Sequence, residues 1–262
     1  MARIWKPGCG LAALLLAFAC TQAMAEQLTV VSSGGFAAAL KLLAPKFEQE
    51  TGHQLKLEWG PSMGDTPQAI PQRLARGEKI DELVMVGSAL DQLQAQGRVV
   101  ADSNTPLAAS RIALAVKHGS PQPDISTLAA LKQTLLNSHS IAYSDSASGV
   151  FLSTVLFSRL GVAGQIKDRS RMIPAEPVGK VVARGEAELG FQQLSELIPI
   201  AGIDIVGLLP EQAQQVTTFS AGISRDSGHP AAARQLLRFL ASPQVAASIR
   251  QTGMTPVSTP AQ

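Results

Sequence analysis

Apolar and polar residues alternate between two periods along this chain, and the alternation sets out a series of strand–helix units. Leu28–Val31 is a short apolar run that predicts a buried strand. Ser32-Ser33-Gly34-Gly35 is a small-residue turn, and Leu40, Leu43, Ala44 and Phe47 then recur at helical spacing up to Gly52. Gln54–Trp59 reads as a strand, followed by a second turn, Gly60-Pro61-Ser62-Met63-Gly64, and a helix capped by Asp65 or Thr66 that runs through Leu74. Leu83–Val86 is a buried strand before a helix over Ala89–Gln96. Beyond a loop containing Pro106, Arg111–Val116 predicts a strand and Asp124–Leu136 a helix. Ser140–Tyr143 is a strand, Ser144–Gly149 a third Ser/Gly turn, and Val150–Leu160 a helix. Arg171–Ile173, Leu189–Gln192, Ile203–Leu208 and Val216–Ser224 read as extended segments. A helix starts at Pro177, and two closing helices span Pro230–Ala241 and Pro243–Gln251.

Repeated strand–turn–helix units imply α/β layers, each a mostly parallel sheet flanked by helices. Ligands in such sheets sit beyond the carboxyl ends of the strands. Three Ser/Gly turns at those ends, in two halves of the chain, predict two lobes facing one cleft. Residues 26–109 with 221–262 form lobe 1 and residues 110–220 form lobe 2, with crossings near Ala109–Ala113 and Ser220–Ser224. The free N–H groups and the positive end of the dipole at a helix start suit an anion.

Residues 1–25 read as an export signal. Arg3 and Lys6 are its charged start, Leu11–Ala19 its apolar segment, and Ala23-Met24-Ala25 its cleavage site before Glu26. That apolar segment is too short to span a bilayer, so no membrane anchor is expected and the periplasm is the expected location. Both cysteines, Cys9 and Cys20, fall in this segment, which removes disulfides and cysteine chemistry from the mature chain. Of 22 basic residues, Arg3 and Lys6 leave with the signal, so 20 face 20 acidic ones. A balance near zero points away from nucleic acid and from membrane surfaces. Aromatic residues make up 4% of the chain, too few for a stacked sugar platform.

The chain resembles the periplasmic solute-binding proteins of ABC importers, and within them the molybdate binders. The resemblance lies in LTVVSSGGFAAALKLLAPKFEQETG, LARGEKIDELVMVGSALDQL, IPAEPVGKVVARGEAELGF and HPAAARQLLRFLASPQVAASIRQTGMTPV. The family's site is altered here. Gly35 stands where the molybdate binders carry a hydroxyl, the second turn holds fewer serines, and Gln192 or Gln193 replaces a tyrosine. Fewer donors in a reshaped site imply a larger anion than a metal oxyanion. The chain is similar to the family's catalytic branch, the aconitate isomerases. That similarity implies a cofactor-free 1,3-proton shift on a tricarboxylate; the other implication is a receptor that delivers molybdate or a polycarboxylate to an ABC permease.

Such a shift needs carboxylate donors, a positive counter-charge and a general base. The expected substrate contacts are Ser32, Ser33, Gly34, Gly35, Ser62, Ser148, Val178 and Gln193. Arg73, Arg111 and Lys180 are the candidate cations; Arg73 alternatively rests on a solvated helix face and Arg111 in a structural ion pair. Asp145 and Glu176 are the candidate bases, with Lys180 beside them as a catalytic cation; Asp145 alternatively organises its own turn and Glu176 caps a helix. His53, His118, His139 and His229 read as surface residues without metal-ligand spacing. The nucleophile elbow Gly-x-Ser-x-Gly is absent, and Gly34-Gly35 lacks the third glycine of a dinucleotide fingerprint.

Overall fold

The structure is a computed structural model and describes residue 1, residues 24–174 and residues 176–257. Of the expected export signal, only residues 1, 24 and 25 are among them.

β1 (Gln27–Ser32) leads through a tight turn into α1 (Gly34–Thr51), which ends where Gly52 takes a left-handed φ of 77°. A residue with a side chain pays for that backbone angle, so glycine closes the helix. β2 (Gln54–Trp59) is followed by α2 (Ile70–Ala75), β3 (Glu82–Val86) and α3 (Gly87–Ala95). The helix expected from Asp65 or Thr66 is confined to α2, because Pro71 occupies its first turn and the preceding residues are held in bends. β4 (Thr105–Ser110) lies in the stretch read as a loop on the strength of Pro106. That proline pairs beside a register shift at Phe219/Ser220, where a lost ladder bond is tolerated.

β5 (Ile112–Lys117), α4 (Leu128–Asn137) and β6 (Ile141–Ser144) open the second lobe. α5 (Ala147–Phe151) runs through a wider π turn at Leu152–Leu156 into α6 (Phe157–Arg159). α7 (Ala163–Ile166), β7 (Ser170–Ile173), α8 (Val178–Ala183), β8 (Leu189–Gln193), α9 (Leu194–Leu197) and β9 (Ile203–Leu208) complete it. The chain then returns to the first lobe as β10 (Thr217–Ile223), α10 (Pro230–Leu240), α11 (Ala246–Gln251) and β11 (Thr255–Pro256).

The strands form two sheets, β11-β4-β10-β3-β1-β2 and β7-β6-β8-β5-β9. In each, three strands are parallel (β3-β1-β2 and β7-β6-β8), and the remaining pairings are antiparallel, so both sheets are mixed. The two-lobed α/β architecture stands. The chain passes from the first sheet to the second at Arg111, between β4 and β5. The return crossing lies at residues 209–216 and not at Ser220–Ser224, because all of β10 is zipped between β3 and β4 of the first sheet.

Each lobe buries its own core. Phe36, Phe47, Leu83 and Met85 anchor the first, and Ile112, Leu114, Leu131 and Phe191 the second. Hydrogen bonds tie the lobes where they meet: Ser195 Oγ donates to the Gly35 carbonyl at 2.7 Å, and Gln193 Nε2 to Thr217 Oγ1 at 2.9 Å.

Candidate functional site

A cleft of about 220 Å³ opens between the lobes. Gly34, Trp59, Gly60, Pro61 and Gln68 line it from the first lobe. Ser144, Asp145, Ser146, Glu176, Pro177, Gln192 and Glu196 line it from the second. These residues sit at or beyond the carboxyl ends of β1, β2, β6, β7 and β8, where loop backbone is free to meet a ligand. Of the residues expected from the sequence, the lining brings together Gly34, Asp145 and Glu176.

The first turn is built tightly. Ser33 N–H donates to the Val84 carbonyl at 2.8 Å, and Ser32 Oγ donates to the Ser33 carbonyl at 3.0 Å. Ser33 occupies the N-cap of α1 without making the usual cap bond; its Oγ is buried and has no partner. The two glycines meet protein at close range. A Cβ on Gly34 would stand 2.0 Å from Glu196 Oε1, and one on Gly35 would stand 2.0 Å from Phe219 Cζ. Gly35 therefore makes room for an aromatic ring, and Gly34 for a carboxylate.

The other turn residues are spent largely on structure. Ser62 Oγ accepts the Val86 N–H at 2.9 Å. Ser148 and Ser144 share a hydrogen bond between hydroxyls at 2.9 Å, and Gly149 lies close under the Ser144 carbonyl. Val178 N–H donates to Gln192 Oε1 at 2.9 Å. The Gln193 side chain is buried; its amide nitrogen reaches Thr217 and its Oε1 has no partner.

The expected cations lie elsewhere. Arg73 is clasped by Glu58 and Glu78. Arg111 pairs with Glu211 at 2.8 Å, and Lys180 is exposed outside the lining. Among the described residues that line the cleft, none is a lysine, arginine or histidine. His53, expected at the surface, is buried: its Nδ1 accepts the Glu26 N–H and its ring stacks on Phe47. Among the described residues, no group of three His, Cys, Asp or Glu is placed to hold a metal ion.

Three carboxylates face the cleft in different states. Both oxygens of Glu176 accept from Arg184, at 2.6 and 3.1 Å, and those bonds hold its pKa below the usual range. Asp145 stands on the loop after β6, close enough for its charge to act on Glu196. Burial, reinforced by that charge, pushes the Glu196 carboxyl up to about 7 against hydrogen bonds from the Gln192 side chain and the Gln193 N–H. The reach back to Gln193 is the second half of a capping box, with Glu196 at the third position of α9. Sequence reasoning passed over Glu196 because its N-cap is glutamine, not serine or threonine, and a four-residue helix shows no periodicity. The one trace of it was the spacing Gln193-x-x-Glu196 directly after an apolar strand.

The sequence profile of the bacterial extracellular solute-binding proteins matches residues 28–255. An aconitate isomerase from a Pseudomonas species is 55% identical over 260 residues, 98% of each chain. A molybdate-binding protein from Azotobacter vinelandii is 26% identical over 242 residues, 88% of this chain and 90% of that one. The solved periplasmic molybdate-binding protein of the same organism superposes with a TM-score of 0.70 at 22% identity, covering 87% of this chain and 98% of its own. The match runs over nearly all of both lobes, and the chain belongs to the bacterial extracellular solute-binding protein family.

Proposed function

We propose that the protein is a periplasmic aconitate isomerase that holds its tricarboxylate substrate in the interlobe cleft and moves the double bond by a 1,3-allylic proton shift. The observation that carries this reading is the 55% identity to an aconitate isomerase along 98% of both chains. The cleft's chemistry supports it. Arg184 binds Glu176 while also pairing with Glu186, and burial brings the titration of Glu196 near neutrality. In this reading an anion is held by neutral donors of the lining, Gln68 and Ser146 among them. Each hydrogen bond to a charged carboxylate contributes about 1.5–3 kcal/mol.

The reaction conserves atoms and electrons. A proton leaves the methylene carbon, the electron pair spreads through the allylic system onto a carboxylate, and a proton returns at the other end. No cofactor is consumed. A receptor that hands an oxyanion or polycarboxylate to an ABC permease is the second reading, favoured by the 26% identical molybdate-binding relative. Purified protein incubated with trans-aconitate and followed by proton NMR separates the two: cis-aconitate accumulates if the isomerase reading holds. A tight complex with molybdate or with aconitate, unaccompanied by conversion, leaves the receptor.

A further inference from the structure

We infer that Glu196, seated against the bare Cα of Gly34 in the cleft, is the acid–base residue that takes the proton from the substrate's methylene carbon and returns it to the far allylic carbon. This rests on the isomerase reading. Three features of the site point to Glu196 among the carboxylates of the lining. It is mounted on α9, directly after β8, and Ser195 Oγ anchors that helix to the Gly35 carbonyl of the opposite lobe, so its position is set by the same contact that joins the lobes. Its carboxylate fills the space that any side chain at position 34 would take, which brings it to the head of α1, where the unpartnered Ser33 hydroxyl also lies. It has donors on its own side, Gln192 and the Gln193 N–H, that steady the ionised form without a permanent countercharge. Glu176, by contrast, is held by two bonds from Arg184, which makes it a weak base.

Burial and Asp145 give Glu196 the affinity for a proton that a base working near neutrality needs. The step balances with one group. The C–H bond at the methylene breaks, and its proton goes to a Glu196 oxygen. The electron pair shifts across the central carbon, leaving charge on the substrate carboxylate conjugated with it. The new C–H bond then forms at the former vinyl carbon with the proton from Glu196, which ends ionised as it began. One base acting on one face of the substrate predicts that part of the abstracted hydrogen is carried into product. Asp145 is a positioning residue in this scheme, acting through its charge on Glu196.

The test uses the full mature chain with trans-aconitate in D2O, following cis-aconitate and deuterium incorporation by NMR, and substrate binding by calorimetry. Glu196→Gln is expected to lower turnover by about 10²–10⁴-fold while binding stays within about tenfold, and to stop deuterium exchange into the methylene as well. Glu196→Asp, with a shorter reach, retains a fraction of the activity. Asp145→Asn moves the acid limb of the kcat/KM profile to lower pH, because a negative charge beside Glu196 is gone; a merely structural role for Asp145 leaves that limb in place. If the unaltered protein interconverts the aconitates and Glu196→Gln does so at about the same rate, the inference falls and the isomerase reading survives. If the unaltered protein converts nothing, both fall.

Discussion

Two glutamates in this protein are deprived of water, and they end in opposite situations. Glu82 opens β3 in the core of the first lobe; it is fully buried, and neither carboxylate oxygen has a partner. Burial, helped by the charge of neighbouring Asp81, raises its pKa well above the ordinary value. Asp81 itself is well served, accepting from the Thr29 N–H, Ser227 Oγ and the head of α10 at Gly228 and His229. Glu196 meets a similar desolvation cost with two differences: donors from Gln192 and Gln193 allow it to ionise, and a cleft gives it something to act on. A displaced titration therefore marks a working group only where a cavity and partners accompany it. In the interior of a lobe, the same displacement records only a burden on stability.

The sharpest way to break this contrast is Gly34→Ala. The added methyl takes the place of Glu196 Oε1 and pushes a flexible carboxylate aside without touching the core. Turnover is expected to fall by about 10²-fold, the scale of an ångström's misplacement at a reacting centre, with the thermal midpoint held. Steady-state kinetics beside a melting curve decides it, and unchanged kcat would detach Glu196 from the chemistry. Gly35→Ala is the neighbouring control with the opposite signature. Its methyl meets the ring of Phe219, which is packed in the core, and stability should drop by about 2 kcal/mol in urea titration.

The smallest effect is expected at Glu82. Glu82→Met replaces an unsatisfied buried carboxyl with a side chain of similar length and should raise stability at pH 7 by about 1 kcal/mol. The sign with pH follows from the raised pKa. The folded protein keeps a proton that the unfolded chain releases above its ordinary value of 4.5, so the contribution of Glu82 is fully present below that pH. It is lost as pH rises towards the folded-state value. Unfolding curves measured from pH 4 to pH 8 should show a steeper decline for the unaltered protein than for Glu82→Met; parallel slopes would mean that Glu82 finds a partner in solution.

Periodicity carried most of the architecture. β2 and β9 fall on the strands read from alternation and apolar runs, α1 closes at the glycine that marked its end, and α10 begins at the proline expected to open it, whereas the helix expected from Pro243 opens with a 3-10 turn over Pro243–Val245 and becomes α11 at Ala246. Those features are local, because a strand or helix declares itself by which side chains it must bury. β4 did not declare itself, since Pro106 argues against a strand and only the shifted pairing with β10 accommodates it.

The cleft was legible as a place and much less as a set of side chains. Ser/Gly turns at strand ends located it, and Gly34, Asp145 and Glu176 do line it. Turn residues, selected by their own φ and ψ, are enough to say where the backbone turns towards the cleft. Which charges enter the cleft was decided only in three dimensions. Arg73 is drawn to Glu58 and Glu78, and Arg184 to Glu176, while Glu196 arrives from the other lobe to fill the space left by a glycine some 160 positions earlier in the chain. Electrostatic partners and close approaches depend on distances through space, and no local pattern of residues encodes them.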